Sequence, residues 1–263
     1  MATFRVVKAL LRIRNDWIKN PTKEEMRTTA FRFYEKFGIP NIFGAVDGCH
    51  IRFQKCPRKI PVGQWADLYF CRKGYYSLNV QIVSNDNVIY SVDAGWFGSA
   101  HDARVWRRSQ AKADLENPEE PHEFLLAADM AYPISLKVLK HYESPSTRQE
   151  HHFNKILNGL RTLSSECVYA RLKQRFPILR EMRCNVKNSQ RIVLACCILH
   201  NMAEHSFDEV PVEIDENDPF GRPLPRTEVD IPQIIRQTEN RAIIEARAQR
   251  DRYKEIVWNN RRR

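Results

Sequence analysis

The chain has 263 residues, 43% of them hydrophobic, and its 42 Lys and Arg against 32 Asp and Glu give a formal net charge of +10. There is ample material for a packed core, and no run of about 20 apolar residues or apolar leader is present, which argues against a membrane or secreted protein. The basic charge favours a polyanionic partner such as nucleic acid. The seven cysteines lack Cys-x-x-Cys spacing and are expected to be reduced thiols.

The first 38 residues are predicted to be a helical region. Apolar side chains recur at spacings near 3.6 through residues 4–36, which is typical of amphipathic helices. Thr22, followed three positions later by Glu25, has the pattern of a capping box and predicts the start of a second helix. We expect this region to cover a sheet and to take no part in chemistry.

A sheet is predicted from Phe43 onward, where the apolar period changes to that of strands. The first strand carries Asp47 in its middle. Residues 76–84 and 88–94 flank an Asn-Asp-Asn turn and are predicted to form a β-hairpin. A short buried strand is predicted at residues 124–129, with a helix after it.

Four carboxylates stand out by their position in the sequence. Asp47 interrupts a strand, and an isolated ionised carboxylate in a core is so costly that the charge must be paired or used. Asp129 ends the short buried strand, and Glu166 lies at the edge of the apolar stripe of a helix predicted over residues 153–176. Asp102 has two interpretations, because it could be the N-cap of the helix that follows or a supplementary metal ligand.

This set of acids has a chemical use that explains its cost. Two divalent cations held roughly 3.5 to 4 Å apart can activate a water and stabilise the leaving oxygen of a phosphodiester, and carboxylate oxygens suit Mg²⁺ or Mn²⁺. Without a cation the same carboxylates repel one another and raise at least one pKa. These acids therefore make chemical sense as a cluster only with divalent cations bound, and for Asp102 both the helix cap and the supplementary, weaker metal ligand stay open.

Basic residues follow the acids along the chain. They predict a track for DNA phosphates, and the alternative for each run is a solvated charged face. The residues are Arg52, Lys55, Arg58, Lys59, Arg104, Arg107, Arg108, Arg171, Lys173 and Arg175.

The composition changes after a further apolar helix predicted over residues 189–202. Residues 206–233 hold five prolines and eight acids against two arginines, which predicts an acidic, proline-rich linker. Residues 234–263 return to helix formers and are predicted to be a basic helical tail. The catalytic domain is accordingly expected over residues 39–205.

Five segments, in this order, resemble the Harbinger-type transposases and the host nuclease-like proteins derived from them, which are DDE superfamily endonucleases. The segments are 44–51, 98–102, 129–133, 166–176 and 195–202. The resemblance implies an α/β fold of the RNase H type, with a mixed sheet flanked by helices, and it places an Asp-Asp-Glu triad on Asp47, Asp129 and Glu166. Arg161 precedes Glu166 by five positions where the family spacing is four, so the pattern assigns Arg161 no role.

The resemblance also implies a function. The chain is expected to be a divalent-metal-dependent endonuclease or transposase-like enzyme that hydrolyses DNA phosphodiester bonds. A separate Myb-like DNA-binding partner, a homodimeric state, and a location in the nucleus with the cytoplasm as a second site are expected with it.

A second hypothesis keeps the fold without useful cleavage. The chain begins inside the family's helical lead-in, and neighbours of the triad are substituted, with Cys49 standing where the family usually has threonine. Both features fit a domesticated DNA-binding or scaffold protein, catalytically weak or inactive, that acts with the Myb-like partner.

Overall fold

The computed structural model describes residues 2–58, 60–119, 121–206 and 236–261. Six strands are found within these residues and form one mixed sheet: β1 (Ile42–Phe53), β2 (Ser77–Ser84), β3 (Ile89–Phe97), β4 (Leu125–Ala128), β5 (Val138–Lys140) and β6 (Glu181–Met182). Their order is β3-β2-β1-β4-β5, and β6 pairs with the far end of β1. The predicted α/β mixed sheet is confirmed.

The register of the sheet opens a gap beside β1. β2 runs antiparallel along β1 and places Ile82 opposite Asp47. β4 runs parallel to β1 only as far as the pair Val46 and Ala128, and β6 joins β1 again at Arg52. Between these two points the β4 side of β1 has no strand partner among the described residues, so Asp47 lies where the sheet divides.

Helices cover both faces of this sheet. Most of these helices bury apolar side chains on one face, as their periodicity predicts, whereas α2 has no buried residue. The helices are α1 (Ala2–Arg12), α2 (Arg14–Trp17), α3 (Lys23–Phe37), α4 (Asp102–Arg107), α5 (Gln110–Leu115), α6 (Arg148–Arg161), α7 (Cys167–Arg175), α8 (Val186–His205) and α9 (Arg236–Asn260). None of the described helices is long and apolar enough to cross a membrane.

The helix starts follow the capping rules. The Thr22 side chain accepts from the backbone N–H of Glu25 at 3.2 Å, and the Glu25 carboxylate accepts from the backbone N–H of Thr22 at 2.7 Å, which confirms the predicted capping box. Thr147 and Glu150 form the same box at the start of α6. The helix predicted from residue 153 therefore begins earlier, at Arg148.

Helix α9 packs against α6. Tyr253 and Val257 are buried in one apolar cluster with Phe153 and Leu157 of α6. The side-chain amide of Asn260 donates to the carbonyl of Gly38 at 3.0 Å. The predicted linker lies outside the described residues except for Ser206, and the boundaries proposed between domains stay predictions.

The prediction of a helix directly after β4 is wrong. The Asp129 carboxylate accepts from the backbone N–H of Ala131 at 2.6 Å, which closes a turn in place of a helix start. After that turn Val138 pairs with Leu126, and the chain forms β5. A strand of three residues is too short to show a period in the sequence.

Candidate active site

Asp47 is the central acid of the site, because three groups donate to its carboxylate. The side chain is mostly buried, and its oxygens lie 2.9 Å from the N–H of Gly48, 3.1 Å from Arg161 Nη1 and 3.2 Å from Ser165 Oγ. Burial raises the pKa of Asp47 to about 7, with Arg161 opposing this rise and the carboxylates of Asp129, Asp102 and Glu166 adding to it. The strand therefore carries a carboxylate that is only partly neutralised.

Asp129 reaches Asp47 from the neighbouring strand. It directly follows β4, whose last residue, Ala128, lies beside Val46 in parallel register. Consecutive positions on paired parallel strands stay adjacent, so the two aspartates lie next to each other at the point where the strands part. The negative charge of the half-buried Asp129 carboxylate raises the pKa of Asp47.

Glu166 is the last residue of a π turn that interrupts a helix. Residues 162–166 form one π-helical turn between α6 and α7, and the N–H of Cys167 donates to the carbonyl of Thr162, five residues back. The hydroxyl of Ser84 on β2 donates to the carbonyl of Ser164 at 2.5 Å and fixes the turn to the sheet. The regular helix predicted over residues 153–176 is therefore interrupted, at the kind of turn that is frequent at functional sites.

Arg161 is a site residue that the sequence pattern missed. Its guanidinium bridges two predicted ligands, with Nη1 3.1 Å from Asp47 and Nη2 2.5 Å from Glu166. The extra residue of the π turn makes a spacing of five equivalent to a spacing of four in an α-helix, so Arg161 and Glu166 share one face. A one-residue mismatch in a motif, beside a predicted catalytic acid, is the signal that could have revealed it.

Asp102 approaches β1 from the other side. A Cβ on Gly48 would lie 2.4 Å from an Asp102 carboxylate oxygen, so glycine is required there for Asp102 to fit. Neighbouring residues of a strand face opposite sides, which puts Asp102 on the face opposite the Asp47 side chain. The Asn79 amide donates to Asp102 at 2.8 Å. Burial raises the pKa of Asp102 to about 6, against the effect of the Asn79 hydrogen bond.

The N-cap interpretation of Asp102 is wrong. His101 holds the N-cap position of α4, and Asp102 is the first helical residue. Its carboxylate turns to Asn79 and the sheet instead of to the helix N–H groups, because Gly48 leaves room for it there. Its role as a supplementary ligand stays a prediction.

The donor set suits a divalent cation in its chemistry. Carboxylate oxygens are the ligands of hard cations. Burial and three further acids raise the pKa of Asp47, and a single arginine lowers it. In the part of the chain that the structure describes, no group of three or more His, Cys, Asp or Glu is arranged to hold a metal ion. Asp47 and Glu166 each direct an oxygen at Arg161 instead.

The predicted DNA-contacting residues differ in their exposure. Arg52 pairs with Glu181 at 3.7 Å and keeps 42% of its side chain exposed, whereas Arg175 pairs with Glu204 at 3.1 Å and is only 10% exposed. Arg171 donates to the carbonyl of Asp86 at 3.0 Å. The exposed members are Lys55, Arg58, Arg104, Arg107 and Arg108. Lys59 lies outside the described residues.

Lys173 lies close to Cys49, two residues after Asp47 on β1. Burial raises the pKa of the Cys49 thiol, and the Lys173 ammonium, which is hydrogen-bonded to this thiol, acts in the opposite direction. Lys173 follows Glu166 by two helical turns, so the helix presents both residues to β1. A half-buried positive charge thus stands beside the acids.

Comparison with known proteins identifies the family. The sequence profile of the DDE superfamily endonucleases matches residues 46–201, more than half of the chain. The chain belongs to the DDE superfamily endonuclease family. The matched region begins one residue before Asp47 and contains Asp129, Arg161 and Glu166, so the proposed DDE site lies wholly within it.

The chain is also similar to curated proteins, two of which are named as nucleases. A protein named "Putative nuclease HARBI1" from Rattus norvegicus is 27% identical over 210 residues, which cover 77% of this chain and 58% of the relative. The protein of the same name from Homo sapiens gives the same values. "Protein ALP1-like" from Arabidopsis thaliana is 26% identical over 203 residues, covering 69% of this chain and 48% of the relative. The chain thus spans about half the length of these relatives, and no solved structure matches it.

Proposed function

We propose that this DDE family member is a divalent-metal-dependent DNA endonuclease or transposase-like enzyme, with Asp47, Asp129 and Glu166 as its catalytic acids. The supporting observation is the position of Asp47, a buried carboxylate at the point where β1 and β4 part, whose pKa is raised by burial and by three other acids. When bound, Mg²⁺ or Mn²⁺ would activate the attacking water and stabilise the leaving oxygen of the phosphodiester.

The residues of the chain have distinct tasks in this proposal. Asp47 and Asp129, next to each other at the strand edge, hold the cation, and Glu166 completes the site from the helix. Asp102 supports the cluster from the opposite face. The tight turn after Asp129, closed by the N–H of Ala131, keeps this carboxylate in one orientation.

DNA reaches these acids along the basic surface. The exposed residues Lys55 and Arg58 follow β1, and Arg104, Arg107 and Arg108 lie on or just after α4, so both groups flank the acids in the chain. Phosphate contacts of this kind position a duplex without reading its sequence. A Myb-like partner that reads DNA, a homodimeric assembly and a nuclear location belong to the same proposal.

The second candidate is a domesticated DNA-binding or scaffold protein with weak or absent cleavage. The observation that favours it is the pairing of both Asp47 and Glu166 with Arg161, which leaves these ligands satisfied without a metal. In this case DNA binding would persist without divalent cations.

The deciding experiment combines cleavage and binding. Purified protein, alone and with a Myb-like partner, would be incubated with labelled duplex DNA and Mn²⁺, beside Asp47→Asn and Glu166→Gln variants. Cleavage that requires Mn²⁺ and both acids supports the enzyme. Unchanged DNA binding in both variants, with no cleavage by any of them, supports the scaffold.

A further inference from the structure

One arginine lies where two predicted metal ligands meet. Arg161 is 11% exposed, and its two terminal nitrogens contact Asp47 at 3.1 Å and Glu166 at 2.5 Å. A third contact, 3.2 Å long, joins Nη2 to the side-chain carbonyl of Asn158. The guanidinium therefore holds the carboxylates of β1 and of the π turn together.

The π turn makes this bridge possible. Because Glu166 lies five positions after Arg161, a regular α-helix would rotate it about 140° away from Arg161, since each residue turns by about 100°. The five-residue repeat of the π turn brings both residues onto the face that meets β1. The hydroxyl of Ser165 adds to the arrangement, 3.2 Å from Asp47 and 2.8 Å from the carbonyl of Arg161.

The bridge is not complete, however. Arg161 Nε is buried and has no hydrogen-bond partner within the described residues. Such an atom keeps its desolvation cost, so the arginine is held mainly by its two carboxylates. A divalent cation needs oxygens of the same two carboxylates, and a cation and a guanidinium repel each other at contact distance.

We propose that Arg161 is an internal counter-ion that competes with the metal, so that metal binding requires its guanidinium to leave Asp47, Glu166 or both. This inference rests on the proposed function, because it takes these acids as metal ligands. Arg161 then sets the metal affinity of the site, and the π turn exists to place this arginine. The alternative is a positioning role, in which Arg161 holds the acids ready for the metal and its loss weakens metal binding.

The chain offers a matched control. Arg175 is 10% exposed and pairs with Glu204 at 3.1 Å, so it resembles Arg161 in burial and in ion-pair geometry. It ends α7, whereas Arg161 ends α6, and it pairs with Glu204, which is not a predicted metal ligand. Loss of Arg175 should cost stability without changing metal binding.

The experiment is a Mn²⁺ titration of the full chain without DNA, by calorimetry and by thermal melting. Arg161→Ala is expected to bind Mn²⁺ about tenfold more tightly than the wild type, a change of about 1.4 kcal/mol. Its melting temperature without metal falls, and the rise on adding Mn²⁺ is larger than in the wild type. Arg175→Ala melts lower but keeps the wild-type Kd for Mn²⁺.

A second variant covers the case in which Arg161→Ala does not fold without metal. Arg161→Lys keeps the charge but loses the fork that bridges two carboxylates, so its Mn²⁺ affinity should fall between the wild type and Arg161→Ala. Unchanged or weaker Mn²⁺ binding in the Arg161 variants, with normal binding in the wild type, overturns the competition and leaves the proposed function intact. If neither the wild type nor any variant binds Mn²⁺, both proposals fail.

Discussion

Two buried arginines end successive segments of one helix, and their surroundings differ in charge. Arg161 faces Asp47 and Glu166, and the charges of Asp102 and Asp129 also act on Asp47. Arg175 faces Glu204, and Arg171 lies 4.0 Å from the same carboxylate. The first cluster thus has more acids than arginines, and the second has more arginines than acids.

The second cluster is also complete in its hydrogen bonding around His200. One ring nitrogen of His200 lies 2.9 Å from the carbonyl of Asn87 and the other lies 3.0 Å from Arg175 Nη1. A carbonyl only accepts and a guanidinium only donates, so these partners assign a neutral imidazole. Burial lowers the pKa of His200 to about 4, in agreement with that assignment. The comparison teaches that a cluster whose polar groups satisfy one another stabilises this fold, whereas an excess of buried acid is typical of a functional site.

The largest expected effect comes from breaking the acid-rich cluster at its centre. Asp47→Asn removes a metal-binding charge worth several kcal/mol in the transition state and should lower the DNA cleavage rate by about 10³-fold or more. Cleavage of labelled duplex with Mn²⁺ measures it. Glu204→Gln, in the other cluster, should keep the cleavage rate of the folded protein, and equal losses in both variants would contradict the distinction.

The next effect concerns stability in the arginine-rich cluster. Glu204→Ala leaves two mostly buried arginines without their shared carboxylate and should lower the free energy of unfolding by about 3 kcal/mol. Urea unfolding of the metal-free protein measures this change. If the free energy of unfolding falls by less than about 0.5 kcal/mol, the Glu204 ion pairs contribute as little as surface ion pairs do, and the prediction is contradicted.

The two clusters should also respond to pH in opposite directions. The folded-state pKa of His200 lies below its ordinary value of 6.5, so the unfolded chain binds more protons, and this contribution to stability is lost as pH falls from about 6.5 to 4. The charged groups that face the ring are Arg171, Arg175 and Glu204. The free energy of unfolding of the wild type should fall by roughly 2 kcal/mol on this account over that range, and His200→Gln should lack this fall. Urea unfolding at several pH values measures both proteins.

Asp47 shows the opposite sign. Its folded-state pKa of about 7 lies above the ordinary 3.8, so its contribution is present at low pH and is lost as pH rises towards 7. Without metal, Asp47→Asn should therefore be less sensitive to pH than the wild type between about 4 and 7. A variant that follows the wild-type curve would contradict the raised pKa.

The smallest effect is expected from a single arginine outside both clusters. Arg107 is exposed on α4, and Arg107→Ala should weaken DNA binding about threefold and reduce the slope of log affinity against log salt by about 1. Fluorescence anisotropy at several salt concentrations measures both quantities. Arg241→Ala on α9, where the side chain is 88% exposed, should leave the slope unchanged.

Local patterns predicted the parts of the fold that are long enough to have a period. The alternation in the hairpin gave β2 and β3, and the Thr22 to Glu25 pair gave the start of α3. The triad positions followed from motifs with charges placed after apolar runs. In contrast, β5 with three residues and β6 with two residues have no recognisable period, because they exist through pairing with β4 and β1.

The sequence by itself determined the family, the mixed α/β architecture and the candidate acids Asp47, Asp129 and Glu166, because these depend on residue types at short or motif-sized spacings. Only the tertiary structure decided which face Asp102 occupies and that Arg161 bridges two of the acids. The physical reason is that both features depend on contacts between residues far apart in the sequence. Gly48 leaves room for the Asp102 carboxylate, and Ser84 hydrogen-bonds to the π turn that positions Arg161 and Glu166. A one-residue change of spacing, unassigned in the motif, thereby becomes the feature that places an arginine between two of the acids.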